Sequence, residues 1–292
     1  MRPSFPLRTG AAARGVVLAA AFAVAAGCAA PPADDSRDYR ARPSHDVTTE
    51  FTPEDVAAEI ELGREVAARL LSRYGLFGDR ALQEYVALVG RSVAMHAGRG
   101  ELDYHFAVLD DASVNAFATP GGYIFITRGA LDLIEDEAEL AAVLAHEVAH
   151  VTERHIVHEL GVRADEGGAV SGMARVIGSA GDSIQAAFAT AIDQAVALLL
   201  EDGLEEQDEL EADEIGTLLL AATGYDPGAL RRYLARVAEQ REAAEVQEGL
   251  AGTHPPFDVR LQTLDRVLEN AGLREVELPR MEERFHARIV SG

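Results

Sequence analysis

From Thr52 onward, apolar residues recur mainly at the three- and four-residue spacing of amphipathic helices. Thr52-Pro53-Glu54-Asp55 reads as a helix start: Thr caps, Pro suits the first turn, and acids suit the positive end of the helix dipole. Val56, Ile60, Gly63, Ala67 and Leu70 continue that helix, and a second is predicted over residues 81–95. Residues 104–109 then alternate as a strand does. Residues 115–122 are rich in turn formers, and Tyr123 to Thr127 is a short β-rich run, so a hairpin or a pair of neighbouring strands is expected. Helical spacing returns over residues 136–159, with acids first and basic residues later. Residues 164–208 are rich in Gly and Ala and include a helical stretch at 185–200. That stretch contains Asp193 and is short for a membrane span, which makes it a buried or lid helix. Further helices are predicted at 210–222, ended by Gly224-Tyr225-Asp226-Pro227, and at 227–242 and 256–270. No internal repeat of solenoid period is visible.

Composition narrows the class. The chain has 292 residues, 48% of them hydrophobic, enough for a sizeable core. Its net charge is −23, and all 26 basic residues are Arg, which disfavours nucleic acid as a partner because phosphate binding needs a positive surface. The single cysteine, Cys28, excludes an intramolecular disulfide or a multi-cysteine zinc fold. Arg2, Arg8 and Arg14 precede an apolar run over residues 15–26, a signal-peptide pattern covering 1–27. Cys28 follows Ala25-Ala26-Gly27, which resembles the lipobox of bacterial lipoproteins, with Ala25 where Leu is usual. Lipidation at Cys28 would anchor the chain; the alternative is a secreted soluble protein in which Cys28 is incidental. Ala29 and Ala30, with no Asp after the cysteine, imply the periplasmic side of the outer membrane in a Gram-negative cell. Residues 28–50 read as a flexible tether, 51–272 as the functional domain, and 273–292 as a C-terminal tail.

The chemistry concentrates at His146-Glu147-Val148-Ala149-His150, an HExxH motif in a helical context. Residues four apart share a helix face, so both imidazoles can reach one zinc ion. Glu147 lies about 100° around from His146 and can serve as general base without being a ligand, the arrangement of a metalloprotease. The flanking Leu140, Val143 and Leu144 indicate a buried helix rather than a solvated one with stray histidines. His155 projects about 140° from His150 on an unbroken helix, and His158 lies about 12 Å further along, so both read as surface or second-layer histidines. Glu153 and Ile156 stand where a metzincin requires Gly and His, which excludes that subclass.

A catalytic zinc needs a third protein ligand and an open position. The acids between Glu201 and Asp213 are the candidates, and spacing alone does not choose among them. Glu209, Asp213, Gly216 and Leu220 form one stripe that turns apolar, so Glu209 and Asp213 are the pair expected to point inward. Asp213 could accept a hydrogen bond from the far nitrogen of a ligand histidine.

Several ordered motifs together resemble the HtpX/Oma/Ste-type zinc metallopeptidases, most closely their short periplasmic lipoprotein members. These are residues 113–122 (SVNAFATPGG), the HExxH at 146–150, Glu209-Leu210-Glu211-Ala212-Asp213, Gly224-Tyr225-Asp226-Pro227, and Thr253-His254-Pro255-Pro256 with Arg260. The resemblance runs from about Val56 to about Leu268 and lacks the tetratricopeptide repeats and integral membrane helices of other members. It implies Glu209 as third zinc ligand and Asp213 as the acid behind the ligand shell. It gives His254 one of two roles, stabilising the oxyanion or filling the open zinc position to hold the enzyme latent, with Arg260 as electrostatic support.

The expected architecture is mainly helical α+β, a gluzincin-type metalloprotease domain whose small β-sheet flanks the HExxH helix. One zinc ion per chain is held by His146, His150 and Glu209, with Glu147 as base. Asn115, Ala116, Tyr123 and Phe125 are the expected substrate rail, where a peptide adds as a strand. The expected activity is endopeptidase cleavage of unfolded or misfolded envelope proteins, outer-membrane β-barrel precursors among them. The alternatives are an exopeptidase and a non-catalytic, chaperone-like assembly factor with a regulatory zinc.

Overall fold

A computed structural model describes residues 52–160, 182–244 and 254–289, all within one compact unit spanning 36–292. The expected leader, Cys28 and the tether lie outside the described residues. Helix α1 (Pro53–Tyr74) begins with a capping box: the Asp55 amide donates to Thr52 Oγ1 at 3.2 Å and the Thr52 amide to Asp55 Oδ2 at 3.0 Å. Helix α2 (Arg80–Ala94) is capped by Asp79. Three strands follow: β1 (His105–Leu109), β2 (Ala116–Thr119) and β3 (Tyr123–Thr127), the last two joined by a 3-10 turn over Pro120–Gly122.

The sheet order is β1-β3-β2. β3 pairs parallel with β1 (His105 opposite Tyr123) and antiparallel with β2 (Ala116 opposite Ile126). The expected pairing of residues 104–109 with 123–127 is present, as parallel neighbours and not as a hairpin. Residues 116–119, expected within a turn, instead form β2, which makes the hairpin with β3, the central strand.

After the short α3 (Arg128–Leu131), helix α4 (Glu137–Thr152) carries the HExxH motif. Asp136 caps it by accepting from the Glu139 amide at 2.8 Å. Every residue from Glu137 to Val151 is buried, because α2, β2 and the later helices over Glu206–Thr223 and Ala229–Ala244 all pack on this helix. Continuous helix to 159 was expected. Instead α4 ends, Arg154 adopts a left-handed conformation (φ 56°), and α5 (His155–Glu159) starts in a new direction.

Helix α6 (Asp182–Ala197) packs Ile192 and Ala195 against Ala58, Leu62 and Val66 of α1. It runs into a π-helical turn at Leu198–Asp202. Helix α7 (Glu206–Thr223) ends at Gly224, whose φ of 94° suits a residue without a Cβ. Helices α8 (Ala229–Ala244) and α9 (Phe257–Asn270) follow. The segment expected as a tail holds one more helix, α10 (Glu282–Ile289), which buries Phe285 and sends Arg284 to the Glu137 carboxylate on α4. The fold is mainly helical α+β. Among the described residues, no helix is long and apolar enough to cross a membrane.

Candidate metal centre

α4 and α7 cross so closely that a Cβ on Gly216 would stand 3.0 Å from the backbone N and Cα of His146. Glycine at that crossing lets the acids of α7 reach the histidines of α4. His146 and His150, one turn apart, bring their Nε2 atoms to 3.1 Å of each other. Glu209 of α7 faces both, with Oε2 3.5 Å from His146 Nε2 and Oε1 3.6 Å from His150 Nε2. His254, just ahead of α9, places Nδ1 2.7 Å from Glu209 Oε2. The structure thus brings together His146, His150, Glu209 and His254, and one ligand atom each from His146, Glu209 and His254 lie within 4.8 Å of one another.

These residues fit a zinc ion. Imidazole and carboxylate are its preferred donors besides thiolate. Glu209 Oε2 and His254 Nδ1 are buried without a properly oriented hydrogen bond, despite their short separation. Unsatisfied buried acceptors are costly, and a cation among them removes that cost.

Behind His146, Asp213 sits with Oδ1 3.1 Å from Nδ1. Arg260 of α9 grips Asp213 with two bonds, Nε to Oδ2 at 2.9 Å and a terminal nitrogen to Oδ1 at 2.6 Å. Burial alone would raise the Asp213 pKa, but the Arg260 charge and hydrogen bonds outweigh it and hold the carboxyl below its ordinary value. For His146, burial opposes protonation, yet the adjacent carboxylates of Asp213 and Glu209 raise its pKa to about 9. Burial takes His150 well below the ordinary value. Glu147 is pushed up to about 7, chiefly by burial and further by the charge of Glu209.

Glu147 and His254 sit between two recesses. One, about 350 Å³ including its mouth, runs along Ala116–Ala118 of β2 and under Leu198, Leu199 and Leu204. The other is lined by Val143, Leu230, Tyr233 and Leu234 together with His146 and Arg260. Asn115 and Ala116 line both. Asn115 Oδ1 accepts from the Ala116 amide at 2.9 Å.

The expected rail needs one correction. Tyr123 and Phe125 lie on the central strand, where both backbone edges already pair with β1 and β2. A peptide strand cannot add there. Among the described residues the edge strand beside the histidines is β2, whose residues 116–118 line the first recess.

His158 is exposed, whereas His155 is buried, with Nδ1 2.8 Å from His150 Nδ1. Helical projection missed this contact because the chain breaks at Arg154. No local signal marks that break.

A family model described as Peptidase family M48 matches residues 80–268. A beta-barrel assembly-enhancing protease of Escherichia coli is 28% identical over 216 residues, 70% of this chain and 43% of that protein. A putative beta-barrel assembly-enhancing protease of Vibrio cholerae is 30% identical over 201 residues, 68% of this chain and 41% of that one. The mitochondrial metalloendopeptidase OMA1 of Schizosaccharomyces pombe is 30% identical over 236 residues, 75% of this chain and 64% of that one. The chain therefore spans about two fifths of the length of these bacterial relatives.

Proposed function

The chain belongs to peptidase family M48, and from that premise we propose that it is a zinc-dependent endopeptidase of the cell envelope, acting on unfolded or misfolded proteins. One observation carries the reading. Two imidazole nitrogens and both oxygens of a buried glutamate converge within 3.1–3.6 Å, beside a second buried glutamate at the mouth of two recesses.

His146, His150 and Glu209 hold the metal. The chemistry a bound zinc supplies is Lewis-acid polarisation of the scissile carbonyl. Glu147 accepts the proton of the attacking water on its carboxylate and delivers it to the leaving amine. In the metal-free site burial raises the Glu147 pKa above the ordinary carboxylate value, the direction that helps a carboxyl return the proton it has accepted. The β2 edge aligns the substrate backbone, which gives weak dependence on side-chain sequence. The recess of Val143, Leu230 and Leu234 favours an apolar side chain next to the cut bond, a feature exposed in unfolded chains and buried in folded ones.

His254 lies close enough to Glu209 either to stabilise the oxyanion or to hold the site latent. Replacing it with Ala raises basal cleavage under latency and lowers it under oxyanion support. The leader pattern and Cys28 support a lipid-anchored envelope location. The name of the bacterial relatives, beta-barrel assembly-enhancing protease, supports β-barrel precursors as substrates.

The test is incubation of the zinc-loaded protein with unfolded β-casein beside Glu147→Gln. Internal cleavage by the parent alone supports the endopeptidase. Trimming confined to free ends replaces it with an exopeptidase. No cleavage, or equal cleavage by both proteins, overturns the reading in favour of a non-catalytic assembly factor.

A further inference from the structure

His146 has a carboxylate directly behind it; His150 does not. Its Nδ1 meets a second ring, His155 Nδ1, at 2.8 Å. His155 is 2% exposed, and its Nε2 lies 3.3 Å from Glu211 Oε2. Asp208, on the same face of α7 as Glu211, completes a group whose ligand atoms and that of His155 lie within 4.8 Å of one another. The proton positions follow from the connectivity. His150 Nε2 faces the metal pocket, so its proton sits on Nδ1 and is donated to His155 Nδ1. His155 must then carry its own proton on Nε2, which donates to Glu211.

We infer that His155 is a positioning residue for the metal site, which orients His150 through a ring-to-ring hydrogen bond and couples it to the Glu211 carboxylate; this rests on the metallopeptidase reading above. The backbone around it is built to hold that contact. Arg154 takes a left-handed conformation, a strained backbone for a residue with a Cβ. Its guanidinium is tied to Glu59 Oε2 at 3.0 Å. Glu59 is buried on α1 and also receives two bonds from Arg99, at 2.6 and 3.0 Å. Arg99 in turn donates to the Val151 carbonyl at the end of α4 at 3.1 Å. The turn that swings His155 back onto His150 is thereby fixed at both sides. α7 supplies acids to both histidines, Asp213 to His146 and Glu211, through His155, to His150.

The test uses two substitutions that separate hydrogen bonding from packing. His155→Phe keeps the ring volume and removes the acceptor. His155→Asn removes volume but places Oδ1 where Nδ1 stood. Zinc affinity is read by competition with a chromophoric chelator, and the ligand field by the visible spectrum after cobalt substitution. The expected result is zinc binding about 10–100-fold weaker in His155→Phe with an altered cobalt spectrum, and near-parental affinity in His155→Asn. A role in packing alone gives the opposite order and overturns the inference. So does unchanged affinity in His155→Phe. A second zinc equivalent in the parent that is lost in His155→Phe overturns it too, because His155 would then be a ligand rather than a donor to Glu211. Should His155→Phe fail to fold, Glu211→Gln at the half-buried end of the chain is read in its place, with a smaller loss of zinc affinity expected and no loss overturning the coupling. A parent that binds no zinc defeats the metallopeptidase reading itself, a result distinct from parental binding that ignores His155.

Discussion

Arg260→Met isolates the electrostatics behind the centre. Asp213 and Arg260 are 0% and 2% exposed, and their two bonds of 2.9 and 2.6 Å form a bidentate pair. At an effective dielectric constant of about 20, unit charges 4 Å apart attract by about 4 kcal/mol. Removing Arg260 forfeits that attraction and leaves the buried carboxylate facing the His146 ring without its bidentate partner. Breaking such a pair from one side typically costs about 3–5 kcal/mol. The assay is urea unfolding of the metal-free protein in chelator, so that metal binding does not mask the loss. With a slope of about 3 kcal/mol per molar, the midpoint should fall by about 1–2 M. The companion Asp213→Leu/Arg260→Met removes both charges and should recover most of the stability. It should still bind zinc about 10–100-fold more weakly, because His146 Nδ1 has lost its acceptor. A single-variant cost below about 1 kcal/mol, or a double variant no more stable than the single, refutes the reasoning.

Gly216→Ala drives a Cβ into the His146 backbone and should cost about 1–3 kcal/mol of metal-free stability while weakening zinc binding by moving Glu209; parental values in both assays would contradict the α4–α7 crossing. Glu137 accepts from Tyr85 and Tyr225 at 2.7 and 2.5 Å and from Arg284. Burial pushes its pKa up, but these bonds outweigh it and hold the carboxyl below the ordinary 4.5. Its stabilisation is therefore complete above that value and lost as pH falls through the lowered one. Glu137→Gln should cost about 1–3 kcal/mol at pH 7, and the melting-temperature gap to the parent should close under acid; a gap constant with pH rejects the charge-based account. Mass spectrometry of casein fragments should find apolar residues enriched on one side of the cut, and Leu234→Asp should erase that enrichment; an unchanged profile removes the recess from substrate selection. Glu147→Gln should retain one zinc per chain while cleavage falls about 10²–10⁴-fold, so metal loss in that variant would contradict its role as base rather than ligand.

Local pattern made α4 and α7 legible for a physical reason. Ligands four residues apart and the stripe Glu209, Asp213, Gly216, Leu220 are consequences of helical period, which the chain carries within itself. The same holds for the end of α7 at Gly224. Three features depend instead on partners far along the chain. Among the described residues β2 becomes the edge strand beside the histidines because β3 is claimed by β1 in parallel pairing, and an alternating strand does not state which neighbours it will have. Arg260 reads equally well as a helix-surface cation until α9 is packed on α7, when it becomes the buried countercharge of Asp213. The left-handed Arg154 is held by Glu59, 95 residues earlier, so the turn that delivers His155 has no local signature. Arg260, Arg154 and His155 are charged or polar, and each reaches its partner only after the helices have docked. Hydrophobic period thus places the rings and carboxylates on their helices, while buried ion pairs decide their final orientation. Metal affinity should accordingly respond to Asp213 and His155 even though neither contributes a ligand atom.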